Sequence, residues 1–130
     1  MQHYNSTSYK ISKTVTKSYS TSFYTASLFY PKEIREAIFS IYGFVRFADE
    51  IVDTFHKHNK KELLDKFEDD LKLALKDGIS LNPILHSFSS IVKKYDIDYD
   101  LINAFLISMR KDLSLVQYSN ENEINNYIYG

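Results

Sequence analysis

Tyr42, Arg46, Asp49 and Asp53 follow one another at steps of four, three and four near the middle of the sequence. Residues three and four apart are neighbours on an α-helix, with Cβ atoms about 5 to 6 Å apart, so the four form a polar stripe along one face. Two carboxylates one turn apart suit a hard cation that keeps several waters and bridges to phosphate oxygens, and magnesium fits that description. Glu50 lies about 100° around the helix from Asp49, so it is not expected as a ligand on the same face. Taken alone, the stripe reads first as a surface ion-pair ladder from Arg46 to Asp49 and Asp53, worth a few tenths of a kcal/mol.

The stripe needs a helix to carry it, and the sequence supplies one. With Pro31 as its first residue, Ile34, Ile38, Ile41, Val45, Ala48 and Val52 recur at three- and four-residue steps, which predicts an amphipathic helix with an apolar core face. Before it, the apolar residues of Ser18 to Phe29 predict a short helix that stops at Pro31. After it, His56 to Lys61 reads as a polar connector. Leu63, Leu64, Phe67, Leu71 and Leu75 then predict a second amphipathic helix that Gly78 ends. Asn82-Pro83 has the cap-then-proline signature of a third, continuing through Ile84, Leu85, Phe88, Ile91 and Val92. Aspartates at 96, 98 and 100 mark a turn. Leu101, Ile102, Phe105, Leu106, Met109, Leu113 and Val116 form the last long stripe, followed by a polar stretch at Asn120 and a short segment around Ile124 to Tyr129.

Composition bounds the rest. Three glycines and two prolines leave few breaks, so the expected class is all-α, an antiparallel helical bundle. At 130 residues and 44% hydrophobic content the chain fits one domain, with residues 1–17 a polar, hydroxyl-rich segment preceding residues 18–130. Sixteen basic and seventeen acidic residues leave a formal charge of -1, so nothing draws the whole molecule to nucleic acid, and any anion site must be local. There is no cysteine, which removes disulfides and thiolate chemistry and fits a reducing compartment. No apolar leader is visible, nor a run of about 20 apolar residues, so a cytoplasmic protein is expected. Eleven tyrosines and nine phenylalanines read as core before they read as a cavity lining. His3, His56, His58 and His86 have no partner at metal-ligand spacing and read as surface or loop residues.

The stripe does not stand alone. Ser20-Thr21-Ser22-Phe23, then Pro31, Arg35, Tyr42, Phe44, Arg46 and Asp49-Glu50-Ile51-Val52-Asp53, occur in an order and spacing that resemble the squalene/phytoene synthase family. Further on, Asp112-Leu113, Tyr118, Ile124 and Tyr127-Ile128-Tyr129-Gly130 resemble later segments of that family, so the likeness spans residues 18–130. It implies the all-α isoprenoid synthase bundle, of which this chain resembles the N-terminal part. Asp49 and Asp53 match the first aspartate-rich motif, which binds Mg2+ and through it the substrate diphosphate, with Glu50 in place of the usual second aspartate. Arg46 matches an arginine near the diphosphate, and Ser20 and Ser22 match a flap that closes over it. Phe23 and Tyr42 match residues facing the prenyl cavity, and Tyr127 and Tyr129 are further matches on the substrate side. Thr21 stands where the family usually has lysine, and Gln117 where an arginine is frequent.

The resemblance implies head-to-head condensation of two prenyl diphosphates, farnesyl or geranylgeranyl, to phytoene, a dehydrosqualene, or squalene when NADPH serves as reductant. It also allows peripheral contact with a membrane. The family's second aspartate-rich motif lies beyond the point this sequence reaches, so an incomplete site is expected of the chain alone. Two other readings stay open: a shortened relative that binds prenyl diphosphates without joining them, and a helical interaction module whose Arg46, Asp49 and Asp53 stripe is only a solvated face.

Overall fold

The structure is a computed structural model that describes the backbone of residues 1–55 and 57–129 and the side chains of residues 1–55 and 57–115. Six helices follow in order: α1 (Gln2–Tyr19), α2 (Thr21–Ser27), α3 (Lys32–Asp53), α4 (Lys60–Asp77), α5 (Pro83–Lys94) and α6 (Tyr99–Tyr129), with no strand among the described residues. The all-α class is therefore as expected. No helix among the described residues is long and apolar enough to cross a membrane.

The helix ends follow their local chemistry. The Asn59 side chain caps α4 by accepting from Glu62 N–H at 3.1 Å, and the Asn82 side chain caps α5 by accepting from Ile84 N–H at 3.0 Å and Leu85 N–H at 3.3 Å. Gly78 ends α4 at φ 76°, a left-handed conformation that a Cβ would strain, and its N–H returns to Ala74 O. Pro31 occupies the N-cap of α3 rather than its first helical position, with Lys32 opening the helix. Asp96 turns the chain at φ 51°, and Asp98 Oδ1 accepts from Asp100 N–H before α6 begins.

Two seams hold the bundle. The apolar core gathers around Phe44 of α3, whose ring stacks on Phe88 of α5 at 4.1 Å between centroids and on Phe67 of α4 at 5.3 Å, with Phe105 of α6 tilted at 5.6 Å. Ala48, Ile51, Leu64, Leu71, Leu85, Ile102, Leu106 and Leu113 complete this cluster, so four helices meet at one aromatic stack. The second seam is small and polar: Ser8, Ser12 and Thr16 of α1 are buried against α3 and α5. Ser12 Oγ and Ser87 Oγ share a hydrogen bond of 2.6 Å, and Thr16 Oγ1 donates to Ser12 O. Gly43 makes the approach possible, since a Cβ there would stand 3.3 Å from Ile84 Cδ1 and 3.5 Å from Ser12 Oγ.

Three expectations change here. Residues 1–17, read as a polar segment, form most of α1, which continues to Tyr19 and packs on α3 and α5, so no boundary falls at residue 18. The break expected near Asn120 is absent, because α6 runs unbroken to Tyr129. His86, expected at the surface, is buried on α5 at 1% exposure. Its Nδ1 accepts from Ser80 N–H at 3.2 Å and its Nε2 meets Asn5 Oδ1 at 2.6 Å. Tyr4 lays its ring on the imidazole at 4.4 Å and donates its hydroxyl to Ser80 O, so the start of α1 is clasped to the α4–α5 turn. Burial lowers the imidazole's affinity for a proton, and an acceptor at Nδ1 fixes the neutral tautomer that carries its hydrogen on Nε2.

Candidate functional site

The buried face of α3 is not the one its isoleucines suggest. Phe39, Ser40, Gly43, Phe44, Ala48, Ile51 and Val52 are buried. Ile34 and Ile41, expected in the core, are 39% and 41% exposed, and Ile38 and Val45 are half-buried. At 100° per residue, Ile34, Ile38, Ile41 and Val45 share one side of α3 with Tyr42, Asp49 and Asp53. That side carries exposed Ile34 and Ile41 toward its N-terminal end and the two carboxylates at its C-terminal end, while Val45 packs against the core and Val52 is buried.

Neither Asp49 nor Asp53 belongs to an ion pair among the described residues. Partial burial pushes the Asp49 carboxyl above its ordinary value, the negative charges of Asp53 and, across on α6, Asp112 push the same way, and the positive charge of Arg46 offsets part of the rise. An acid raised by burial and by like charges gains when a cation arrives. No group of three or more His, Cys, Asp or Glu among the described residues is placed to hold a metal ion by itself. Asp49 and Asp53 therefore fit a hard cation only in the sparse manner of magnesium, one or two carboxylates completed by water and substrate phosphate.

Arg46 departs from the expected ladder. It does not pair with Asp49 or Asp53; its Nη2 donates to Glu50 Oε1 at 2.5 Å. Its guanidinium lies 4.6 Å over the ring of Tyr19, and its Nε is buried with no hydrogen-bond partner among the described residues. The hydrogen bond from Arg46 is the main reason that the Glu50 carboxyl sits below its usual range, with Thr54 and Tyr19 adding to it. The same bond holds the Arg46 guanidinium more firmly protonated. Glu50 thus points away from the Asp49 face, as its angle implies, and serves as the anchor of Arg46. Tyr19 and the Arg46–Glu50 pair are the functional neighbours that the motif pattern does not single out, although arginine four residues before glutamate is itself a pairing signal.

The Ser20–Phe23 segment follows directly on Tyr19 of this anchor. Ser20 separates α1 from α2, and its Oγ caps α2 by accepting from Phe23 N–H at 3.1 Å, which leaves the hydroxyl hydrogen free to donate elsewhere. Ser22 is exposed on the first turn of α2. The rings of Phe23 and Tyr42 stack at 5.1 Å and 27°, and Tyr24 stacks on Phe39 at 5.9 Å, so α2 is laid along α3 by two aromatic pairs. The structure thus brings Phe23 against Tyr42, on the side of the helix that carries Asp49 and Asp53, while Ser20 caps α2, Ser22 is exposed and the Arg46 guanidinium turns to Glu50 and Tyr19. Tyr127 and Tyr129 lie on α6, and their side chains fall outside the described residues, as does that of Gln117.

The squalene/phytoene synthase family model matches residues 16–130. The chain belongs to the squalene/phytoene synthase family. It is 28% identical over 125 residues to a phytoene synthase of Arthrospira platensis, an overlap of 95% of this chain and 40% of that protein. Over 116 residues it is 30% identical to a chloroplastic phytoene synthase of an Oncidium hybrid cultivar and 28% identical to chloroplastic phytoene synthase 1 of Zea mays, covering 88% of this chain and 28% of each relative. The chain therefore spans well under half the length of these relatives.

Proposed function

We propose that this chain supplies the first diphosphate-binding half-site of a head-to-head prenyl synthase, which in the complete protein condenses two prenyl diphosphates of the farnesyl or geranylgeranyl class. The observation that carries this reading is the face of α3 where Asp49 and Asp53 stand outside any ion pair among the described residues, beside exposed apolar residues that include Ile34 and Ile41. A solvated ion-pair ladder predicts the opposite on both counts.

Asp49 and Asp53 would hold magnesium, which when bound neutralises charge on the departing diphosphate. Ser20 and Ser22 donate hydroxyls toward that diphosphate from the flap, while Phe23 and Tyr42 form an aromatic wall that keeps water from a cationic prenyl chain. Arg46 acts from its anchor on Glu50 and Tyr19, as a fixed positive charge beside the carboxylates. A reductant such as NADPH enters only if the product is squalene.

The test is calorimetric titration of the chain with inorganic pyrophosphate, with and without Mg2+. Binding that requires the metal and weakens at least tenfold in Asp49→Asn and in Asp53→Asn supports the reading. Metal-independent binding that both variants retain overturns it. Metal-dependent binding without carbon–carbon bond formation by the extended protein would assign a binding role instead.

A further inference from the structure

A second cationic feature lies far from these aspartates. Lys10 and Lys13 of α1 and Lys32 and Arg35 of α3 line one cavity of about 220 Å³. Arg35 precedes Asp49 by fourteen residues, about 21 Å along the helix axis, so the cavity is at the other end of α3. Glu36 is the one carboxylate in its lining, which leaves an excess of three positive charges (four minus one) in a molecule whose formal charge is -1.

None of the four cations forms an ion pair among the described residues. Lys13 Nζ lies 6.0 Å from the centroid of the Tyr24 ring. Some cations elsewhere in the fold are matched: Arg110 holds both Asp65 and Glu68 at 2.5 Å, and Lys66 pairs with Asp70. Gathering four like charges around one concavity raises the energy of the empty pocket, and an anion relieves it. The first turn of α3 borders the same space, and Pro31 at its N-cap offers no side-chain acceptor to it. Leu28 and Phe39 give the cavity an apolar wall beside the charges.

We infer that this pocket binds a phosphate-bearing anion, a phosphomonoester or diphosphate whose attached group is apolar, without the help of a metal ion. Lys10, Lys13, Lys32 and Arg35 hold the phosphate, with Arg35 able to present two parallel N–H donors, and Leu28 and Phe39 contact the apolar group. Such a headgroup is offered either by a soluble phosphate ester or by an acidic phospholipid at a membrane surface.

The test uses the full chain in excess EDTA, which silences any site that depends on a divalent metal. One arm titrates inorganic pyrophosphate by calorimetry; the other sediments the protein with phosphatidylcholine vesicles, with or without phosphatidic acid. Lys32→Ala and Arg35→Ala are compared with Lys111→Ala on α6, and circular dichroism verifies that each variant folds. Saturable pyrophosphate binding that falls at least about fivefold in the Lys32 and Arg35 variants, and not in the Lys111 variant, is the expected result. Binding confined to phosphatidic acid vesicles, with the same two variants defective, supports the pocket and names a lipid headgroup as its ligand. No binding in either arm, or binding that the Lys32 and Arg35 variants retain or that Lys111→Ala weakens equally, overturns the inference.

Discussion

Glu50→Ala should destabilise the fold more than its place on a helix surface suggests. An exposed Arg–Glu pair at i,i+4 is worth about 0.3 to 0.5 kcal/mol. Here the partners are only 27% and 15% exposed, the contact is a charge-assisted hydrogen bond of 2.5 Å, and the guanidinium also stacks on Tyr19. Removing the carboxylate strands a cation whose Nε already lacks a partner. The expected loss is therefore about 1.5 to 2 kcal/mol, of the size found for hydrogen bonds to charged groups. In urea, with a slope of about 2 kcal/mol/M, the unfolding midpoint falls by roughly 0.75 to 1 M. A double-mutant cycle with Arg46→Ala should return a coupling of at least about 1 kcal/mol. The pair also has a pH signature. The Glu50 carboxyl is held below its ordinary value of about 4.5 in the folded chain, so its contribution is complete above that pH and is lost as pH falls through the depressed folded value. Glu50→Gln should flatten this acid limb. A midpoint unchanged within about 0.3 kcal/mol, or a coupling near zero, would show that Arg46 is not anchored here.

Three further outcomes follow from the same geometry. Asp49→Asn should raise the stability of the metal-free chain by a few tenths of a kcal/mol in urea unfolding, because it removes a like-charge pair at i,i+4, even as it abolishes metal-dependent pyrophosphate binding. His86, whose proton affinity is lowered by burial, should make the melting temperature fall as pH drops below about 6.5 and through the lower folded value, since protonation takes the Nδ1 acceptor from Ser80; His86→Gln should lose that slope between pH 8 and pH 5. Phe44→Ala should cost about 3 to 5 kcal/mol in the same unfolding assay, since it removes the ring on which Phe67, Phe88 and Phe105 converge.

Much of this was legible in the residues. Pro31, Gly78 and Asn82-Pro83 punctuate α3, α4 and α5 because each acts through its own backbone chemistry, which tertiary packing does not alter. The helix α1 was not legible, because its buried face is Ser8, Ser12 and Thr16, hydroxyl side chains that carry no apolar stripe and pack through close backbone approach at Gly43. The core side of α3 was misread for the opposite reason. Apolar residues occupy most of its circumference, so periodicity alone favours the isoleucines, whereas the partner helices select Phe39, Phe44 and Ile51. At the site, the spacing of Asp49 and Asp53 identifies the carboxylate face directly. The partner of Arg46 depends on a choice between neighbours at i+3 and i+4 that only packing against Tyr19 decides.

Ser20 ends one helix and caps the next, with its backbone N–H returning to Thr16 and its hydroxyl oxygen holding the first turn of α2. The segment that the resemblance reads as a flap is therefore joined to α1 through a single residue. Seven residues at 1.5 Å each make α2 a lever arm of about 10 Å, so a swing of roughly 20° at Ser20 carries its far end some 3.5 Å, about the thickness of one aromatic ring. Parting the Phe23–Tyr42 stack would need no larger rearrangement than that.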